Sequence, residues 1–211
     1  MRKTIYIISS LAIVSFIGFG IINANGDANR TVVVDAQNNI NYQIATSHAK
    51  MPYYEELNTL DNYSEVIVIG HVAGQQDTYQ VKTDNGEVID TLGKTPFQID
   101  KVLKGNNITK ETLVTVMEDG RVENGVYYNL EGYVKMNDSD QYMLFLRKTG
   151  DNTYAINGSY QGKFNIENAD EISEFKSNAI SEQQLENVEY IGENTDHFNK
   201  LKEEAIKKYK D

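Results

Sequence analysis

A chain of 211 residues is long enough for one substantial core and a small appendage. It carries 31 Asp and Glu against 20 Lys and Arg, a net charge of −11, so it repels a phosphate backbone and disfavours nucleic acid or an anionic membrane surface as a partner. It has no Cys, which removes disulfides, thiolate catalysis, Cys-ligated zinc and a lipid-modified N-terminal Cys.

Met1 to Lys3 is a short basic start, and Ile5 to Ile22 is almost wholly apolar. Together they read as the two leading regions of an export signal. Segment 1–26 is expected to be a signal peptide cut near Asn23–Ala28, or a retained signal-anchor. Either fate places the rest outside the cytoplasm, secreted or anchored at the cell surface, with the membrane met only through this segment. An exported chain without disulfides fits a bacterial host.

Residues 27–62 read as a lead-in. Thr31 to Val34 is a short strand or an extended linker, and Pro52-Tyr53-Tyr54-Glu55-Glu56-Leu57 opens a short helix with Tyr53, Leu57 and Leu60 on one face. Residues 63–168 are cut into short strands. Val66-Ile67-Val68-Ile69 is β-branched throughout and predicts a strand buried on both faces, with Gly70 marking a bend or bulge. Thr83-Asp84-Asn85-Gly86 predicts a projecting hairpin turn. Phe97 and Ile99 alternate until the phase slips at Asp100-Lys101, a β-bulge. Leu113 to Met117, Tyr142 to Arg147 and Tyr154 to Ile156 are further strands, and Gly120 to Asp140 reads as one long connection. Tyr160, Gly162, Phe164 and Ile166 alternate as a half-buried last strand. Residues 169–211 form a helical tail: Ile172, Phe175 and Ile180 give a weak face, and Thr195 to Tyr209 a strong one through Phe198, Leu201 and Ala205.

The expected fold is mainly β (α+β): a small OB-like Greek-key β-barrel of about five or six strands, with a short helix before it and a C-terminal helix after it. The succession Val66-Ile67-Val68-Ile69-Gly70, Phe97-Gln98-Ile99-Asp100-Lys101-Val102-Leu103-Lys104-Gly105, Val114-Thr115-Val116, Tyr142-Met143-Leu144-Phe145-Leu146 and Gly158-Ser159-Tyr160-Gln161-Gly162-Lys163-Phe164 resembles a group of secreted and cell-surface proteins of Gram-positive bacteria. More distantly it is similar to the netrin-like barrel of the tissue inhibitors of metalloproteinases. Those inhibitors chelate zinc with an N-terminal Cys. This chain has none, so the resemblance implies a barrel and carries over no functional residue.

Candidate chemistry is sparse. His48, His71 and His197 lack the spacing of a metal clip, and His71 reads as a solvent-facing rim residue. Glu118 and Asp119, with Glu123 and Glu131, are the carboxylates a glycoside hydrolase would need to face across a cleft, but acids at a strand end and in a loop are ordinarily solvated. Asp138 and Asp140 lack the remaining oxygen ligands of a calcium loop. Ser159 in Gly158-Ser159-Tyr160-Gln161-Gly162 is one place early for a nucleophile elbow and lies in a β segment. No metal or cofactor is expected. Tyr79, Tyr127, Tyr128 and Tyr133 fall in long connections, where rings on a barrel of this type stack on sugars or anchor peptides; they are the expected ligand-binding residues. The function expected is an exported, non-enzymatic binding module for an extracellular protein or a wall glycan. Two alternatives share the same residues: an extracellular hydrolase with paired carboxylates, and a membrane-anchored accessory subunit of an envelope complex.

Overall fold

The computed structural model describes residues 33–34, 40–167, 171–172 and 178–209. Segment 1–26, expected to be an export signal, and Phe175 lie outside them. The strands are β1 (Val33–Val34), β2 (Ile40–Ser47), β3 (Val66–Val72), β4 (Asp77–Lys82), β5 (Val88–Lys104), β6 (Leu113–Glu118), β7 (Gly120–Glu123), β8 (Val126–Leu130), β9 (Gln141–Gly150), β10 (Thr153–Ile156), β11 (Lys163–Asn165), β12 (Glu171–Ile172), β13 (Ala179–Ser181) and β14 (Val188–Tyr190). The helices are α1 (Leu57–Tyr63), α2 (Glu182–Asn187) and α3 (Thr195–Tyr209), and a 3-10 turn spans Ser159–Gly162. The chain is mostly β, with a short helix before the principal sheet and a longer one at its C-terminal end. No helix among the described residues is long and apolar enough to cross a membrane.

β3 is the centre of the principal sheet. It pairs antiparallel with β5 on one side and β9 on the other. β5 pairs antiparallel with β6, β6 runs parallel to β10, and β10 turns back antiparallel to β9. Following partners from β3 through β5, β6, β10 and β9 thus leads back to β3, with β11 added on the far side of β9. Val66 to Gly70 are all buried, as an unbroken β-branched run requires when both faces are covered. Gly70 is there because a Cβ would lie 2.1 Å from the Gln98 carbonyl oxygen and 2.6 Å from the Phe97 ring. Opposite it the register jumps: Ile69 faces Lys101 and Gly70 faces Ile99, which leaves Asp100 as the extra residue of a bulge.

The lead-in and the tail meet in a second, smaller sheet. β2 runs parallel to β8 and antiparallel to β1 and β13, and β8 also pairs with β7. Tyr42, Tyr127, Val134, Ile180, Leu185, Val188 and Ile191 form its own apolar cluster. Residues 120–140 are therefore largely a hairpin, β7–β8, instead of one long connection. Asn124 (φ 50°) and Gly125 (φ 76°) take the two left-handed positions of its turn. The expected last strand over Tyr160 to Ile166 is mostly replaced by the 3-10 turn, since Gly158 (φ 66°) and Ser159 (φ 55°) break the extended path; only Lys163–Asn165 remains a strand. Ile180 lies on β13, outside any helix.

α3 buries Phe198, Leu201 and Ala205, the face predicted from their spacing. Its far end is held by Asp61 of α1. Asp61 Oδ2 accepts from Lys208 Nζ at 2.6 Å and from the Tyr209 hydroxyl, and Oδ1 accepts from Lys104 Nζ at 3.1 Å. Burial alone would raise the Asp61 carboxyl, but the hydrogen bonds from Lys208, Tyr209 and Lys104 outweigh it and hold it below the usual carboxylate range.

Candidate binding face

The hairpin predicted at Thr83–Gly86 is larger than its turn implies. β4 and the first part of β5 form a two-stranded arm inserted between β3 and the remainder of β5. Gly86 adopts φ 82° and its N–H closes the turn onto the Thr83 carbonyl at 2.9 Å. The arm has little apolar packing behind it, so its side chains face water: Tyr79 is 51% exposed, Val88 45% and Ile89 63%.

The root of the arm is fixed by Glu118, the last residue of β6. Val114, Val116 and Glu118 share one parity of that strand, so the carboxylate points inward with the two valines and is fully buried. Its Oε1 accepts from Gln76 Nε2 at 2.9 Å and from the Thr95 hydroxyl; its Oε2 accepts from the Tyr133 hydroxyl and from the Met136 N–H, both at 2.7 Å. Four donors converging on one carboxylate make its burial tolerable. Two of them, Gln76 and Thr95, flank the arm. Glu118 is thus a structural anchor, not a solvated acid at a strand end.

A cleft of about 360 Å³ opens beside this root. Gln75 and Asp77 line it from the arm, Lys94 and Pro96 from β5, Leu113, Val114 and Thr115 from β6, and Asn152 from the β9–β10 turn. Leu113 is 52% exposed because it has the parity opposite to Val114 and Val116. The cleft is thus lined by the apolar Pro96, Leu113 and Val114 together with two amides, a hydroxyl, an acid and a lysine, and an aromatic ring is not among its lining residues.

The four tyrosines separate. Tyr79 is on the arm and accessible. Tyr128 is half-buried on β8, with the Arg121 guanidinium 4.6 Å from its ring centroid. Tyr127 and Tyr133 are fully buried, so their expected role as exposed ligand contacts is corrected. The Tyr127 hydroxyl donates to the Tyr133 carbonyl at 2.8 Å and accepts from the Lys135 N–H at 2.9 Å, pinning the β8–β9 connection from inside. Burial and the neighbouring Glu118 charge push the Tyr133 hydroxyl far above its ordinary value, so it remains a donor to Glu118. Asn124-Gly125 was the local signal for the hairpin. Along β8 the buried parity is Tyr127 and the polar Asn129, not the apolar Val126, Tyr128 and Leu130, so period-2 patterning does not tell Tyr127 from Tyr128.

The other candidates are engaged separately. Asp119 is half-buried, and burial raises its carboxyl above the usual range. Glu123 lies 3.5 Å from Arg121 Nε, and Glu131 meets His48 Nδ1 at 3.1 Å and accepts from the Ala49 N–H at 3.0 Å. Glu123 and Glu131 each have their own partner, as Glu118 does. His71 is half-exposed, with Nδ1 3.0 Å from Asp100 Oδ2, which also accepts from Gln141 Nε2 at 3.0 Å. Among the described residues no group of three His, Asp or Glu is placed to hold a metal ion.

No protein-family model matches this chain, and no curated protein matches it.

Proposed function

We propose that the chain is an exported binding module built on an OB-like barrel, and that it takes a segment of an extracellular protein into the cleft between the arm and β6. The cleft carries this reading. In OB barrels the ligand lies on the face of the second and third strands, between the loop joining strands one and two and the loop joining strands four and five. Here β3, β5, β6, β9 and β10 take those five places, and their pairings, with β6 parallel to β10, support that assignment. The arm is then the first loop, Asn152 belongs to the second, and the cleft lies between them.

The net charge of −11 argues against an oligonucleotide in that place. Leu113 in the cleft, and the exposed Tyr79, Val88 and Ile89 of the arm, are apolar contacts suited to a peptide, whereas a sugar ring has no aromatic platform in the cleft itself. Export rests on the N-terminal sequence pattern.

The test is crosslinking of the purified chain to surface proteins and, in parallel, retention on wall glycans. A protein captured by the parent chain and lost in both Leu113→Asp and the Tyr79→Ala/Ile89→Ala double variant is expected. Capture unchanged in both variants, or retention on glycan alone, refutes the reading.

A further inference from the structure

The arm has two edges, and they differ. Along β5, residues of odd number turn their backbone groups towards β6: the Ile99 N–H donates to the Thr112 carbonyl at 3.1 Å, and the Ile99 carbonyl accepts from the Glu111 N–H at 2.7 Å. Thr91 keeps that parity. Its N–H turns to its neighbour Asp90 Oδ1 at 2.7 Å, and its carbonyl accepts from Arg121 Nη1 at 2.5 Å. The outer edge of β5 is thus occupied at Thr91, and at Gly93 by its pairing with Glu118.

The register places Thr78 opposite Gly93 and Gln80 opposite Thr91. These are the non-hydrogen-bonded pairs of the ladder, whose N–H and C=O groups point away from the partner strand. The Thr78 N–H conforms: it turns to Asp77 Oδ1 at 2.7 Å. The N–H and C=O of Gln80 and the C=O of Thr78 therefore face outward along β4. Among the described strands β4 pairs with β5 alone, and Asp77 to Gln80 are exposed. A register shift at Val81/Lys82 ends this open stretch at the tip side. At the root side it begins at Asp77, which also lines the cleft.

We infer that the free edge of β4 receives an extended, cationic segment of the partner protein as an added strand, which continues into the cleft. This rests on the protein-binding reading above and specifies how the partner is held. Backbone bonds to Gln80 and Thr78 give the pairing, and alternate side chains of the guest meet Tyr79 and Val81 on one face. Charge selects the occupant. Asp77, Asp84, Glu87 and Asp90 outnumber Lys82 and Lys94 on the arm, and a second copy of this chain would bring another −11 to the same edge. A Lys- or Arg-bearing strand is attracted where a second copy is repelled.

The probe is a fluorescent synthetic decapeptide of alternating Lys and Val, read by anisotropy against the full chain at low salt, with an alternating Glu–Val peptide as its counterpart. The Lys–Val peptide is expected to bind, with the Gln80 amide slowed in hydrogen exchange, and the Glu–Val peptide about tenfold weaker or not at all. Gln80→Pro removes an N–H that makes no bond to β5, so the arm persists while peptide affinity falls about tenfold; Gln80→Ala binds as the parent does. N-methylation of every second peptide residue, which leaves the protein untouched, is expected to weaken binding in one of the two alternating patterns. Binding indifferent to Gln80→Pro and to both N-methyl patterns overturns the added strand. So does self-association of the chain through this edge. Loss of binding in Leu113→Asp with no effect of Gln80→Pro leaves the cleft and removes the strand; the reverse result keeps the strand and removes the cleft.

Discussion

Glu118→Gln separates an anchoring carboxylate from a catalytic one. In the parent, each carboxylate oxygen accepts from two donors. A Gln amide offers one oxygen and one NH2. Whichever way it is turned, the NH2 faces two groups that themselves donate: Gln76 and Thr95 on one side, or Tyr133 and Met136 on the other. Tyr133 and Met136 are 0% and 3% exposed, so water cannot replace the lost acceptor without opening the fold. The Thr95 hydroxyl can turn to relieve one contact, and the side chain of Gln76 lies nearer the surface. The amide therefore settles towards Thr95 and Gln76, and roughly one to two buried bonds are lost. At about 1–3 kcal/mol for each buried partner left unsatisfied, the loss is about 2–4 kcal/mol. For a chain of this size that lowers the melting midpoint by roughly 5–15 °C. Urea unfolding followed by tyrosine fluorescence measures it, with an unchanged m-value showing that stability alone has moved. A Glu118→Gln chain within about 0.5 kcal/mol of the parent refutes the anchoring argument. It would return Glu118 to the candidates for chemistry.

Three further outcomes follow from the same packing. Tyr127→Phe strips the hydroxyl that joins the Tyr133 carbonyl and the Lys135 N–H and is expected to cost about 2 kcal/mol by urea unfolding, whereas Tyr128→Phe stays within about 0.5 kcal/mol. Gly70→Ala drives a methyl onto the Gln98 carbonyl and is expected to cost on the order of 3 kcal/mol; a melting temperature equal to the parent's would contradict the bulge geometry. Asp61→Asn weakens the clamp on α3 by about 1–2 kcal/mol at neutral pH, discounted because Lys208 stays part-hydrated. The folded pKa of Asp61 is depressed, so its contribution is present above the unfolded carboxylate's pKa of about 3.9 and is lost as pH falls through the folded value. Urea midpoints of parent and variant are therefore expected to differ at pH 7 and to begin to converge as pH falls below about 4; a difference that does not shrink with acid contradicts the assignment.

Local pattern was enough for much of this protein. Four adjacent β-branched residues, Val66 to Ile69, marked the doubly covered central strand. The phase slip at Asp100 marked its bulge, and Phe198, Leu201 and Ala205 marked the buried face of α3. Thr83 to Gly86 announced the arm's turn. Each signal lies within a few residues because it reflects backbone geometry or a helical or pleated repeat. The Asn124-Gly125 hairpin carried the same kind of signal, yet the tyrosines around it read more readily as loop residues.

What tertiary structure alone decided depends on partners distant in the chain. Alternation within β6 turns Glu118 inward with Val114 and Val116, but it is an anchor because Gln76, Thr95, Tyr133 and Met136 arrive from other segments, and β6 carries no sign of those donors. Tyr127 is buried by a second sheet that joins residues 40–47 to 126–130 and 179–181, and Tyr133 is buried in the principal core, with its hydroxyl on Glu118. The free edge of β4 exists only because a register placed Gln80 opposite Thr91. Pairing between remote strands sets which way each backbone and side chain faces, and composition along the chain carries no record of that choice.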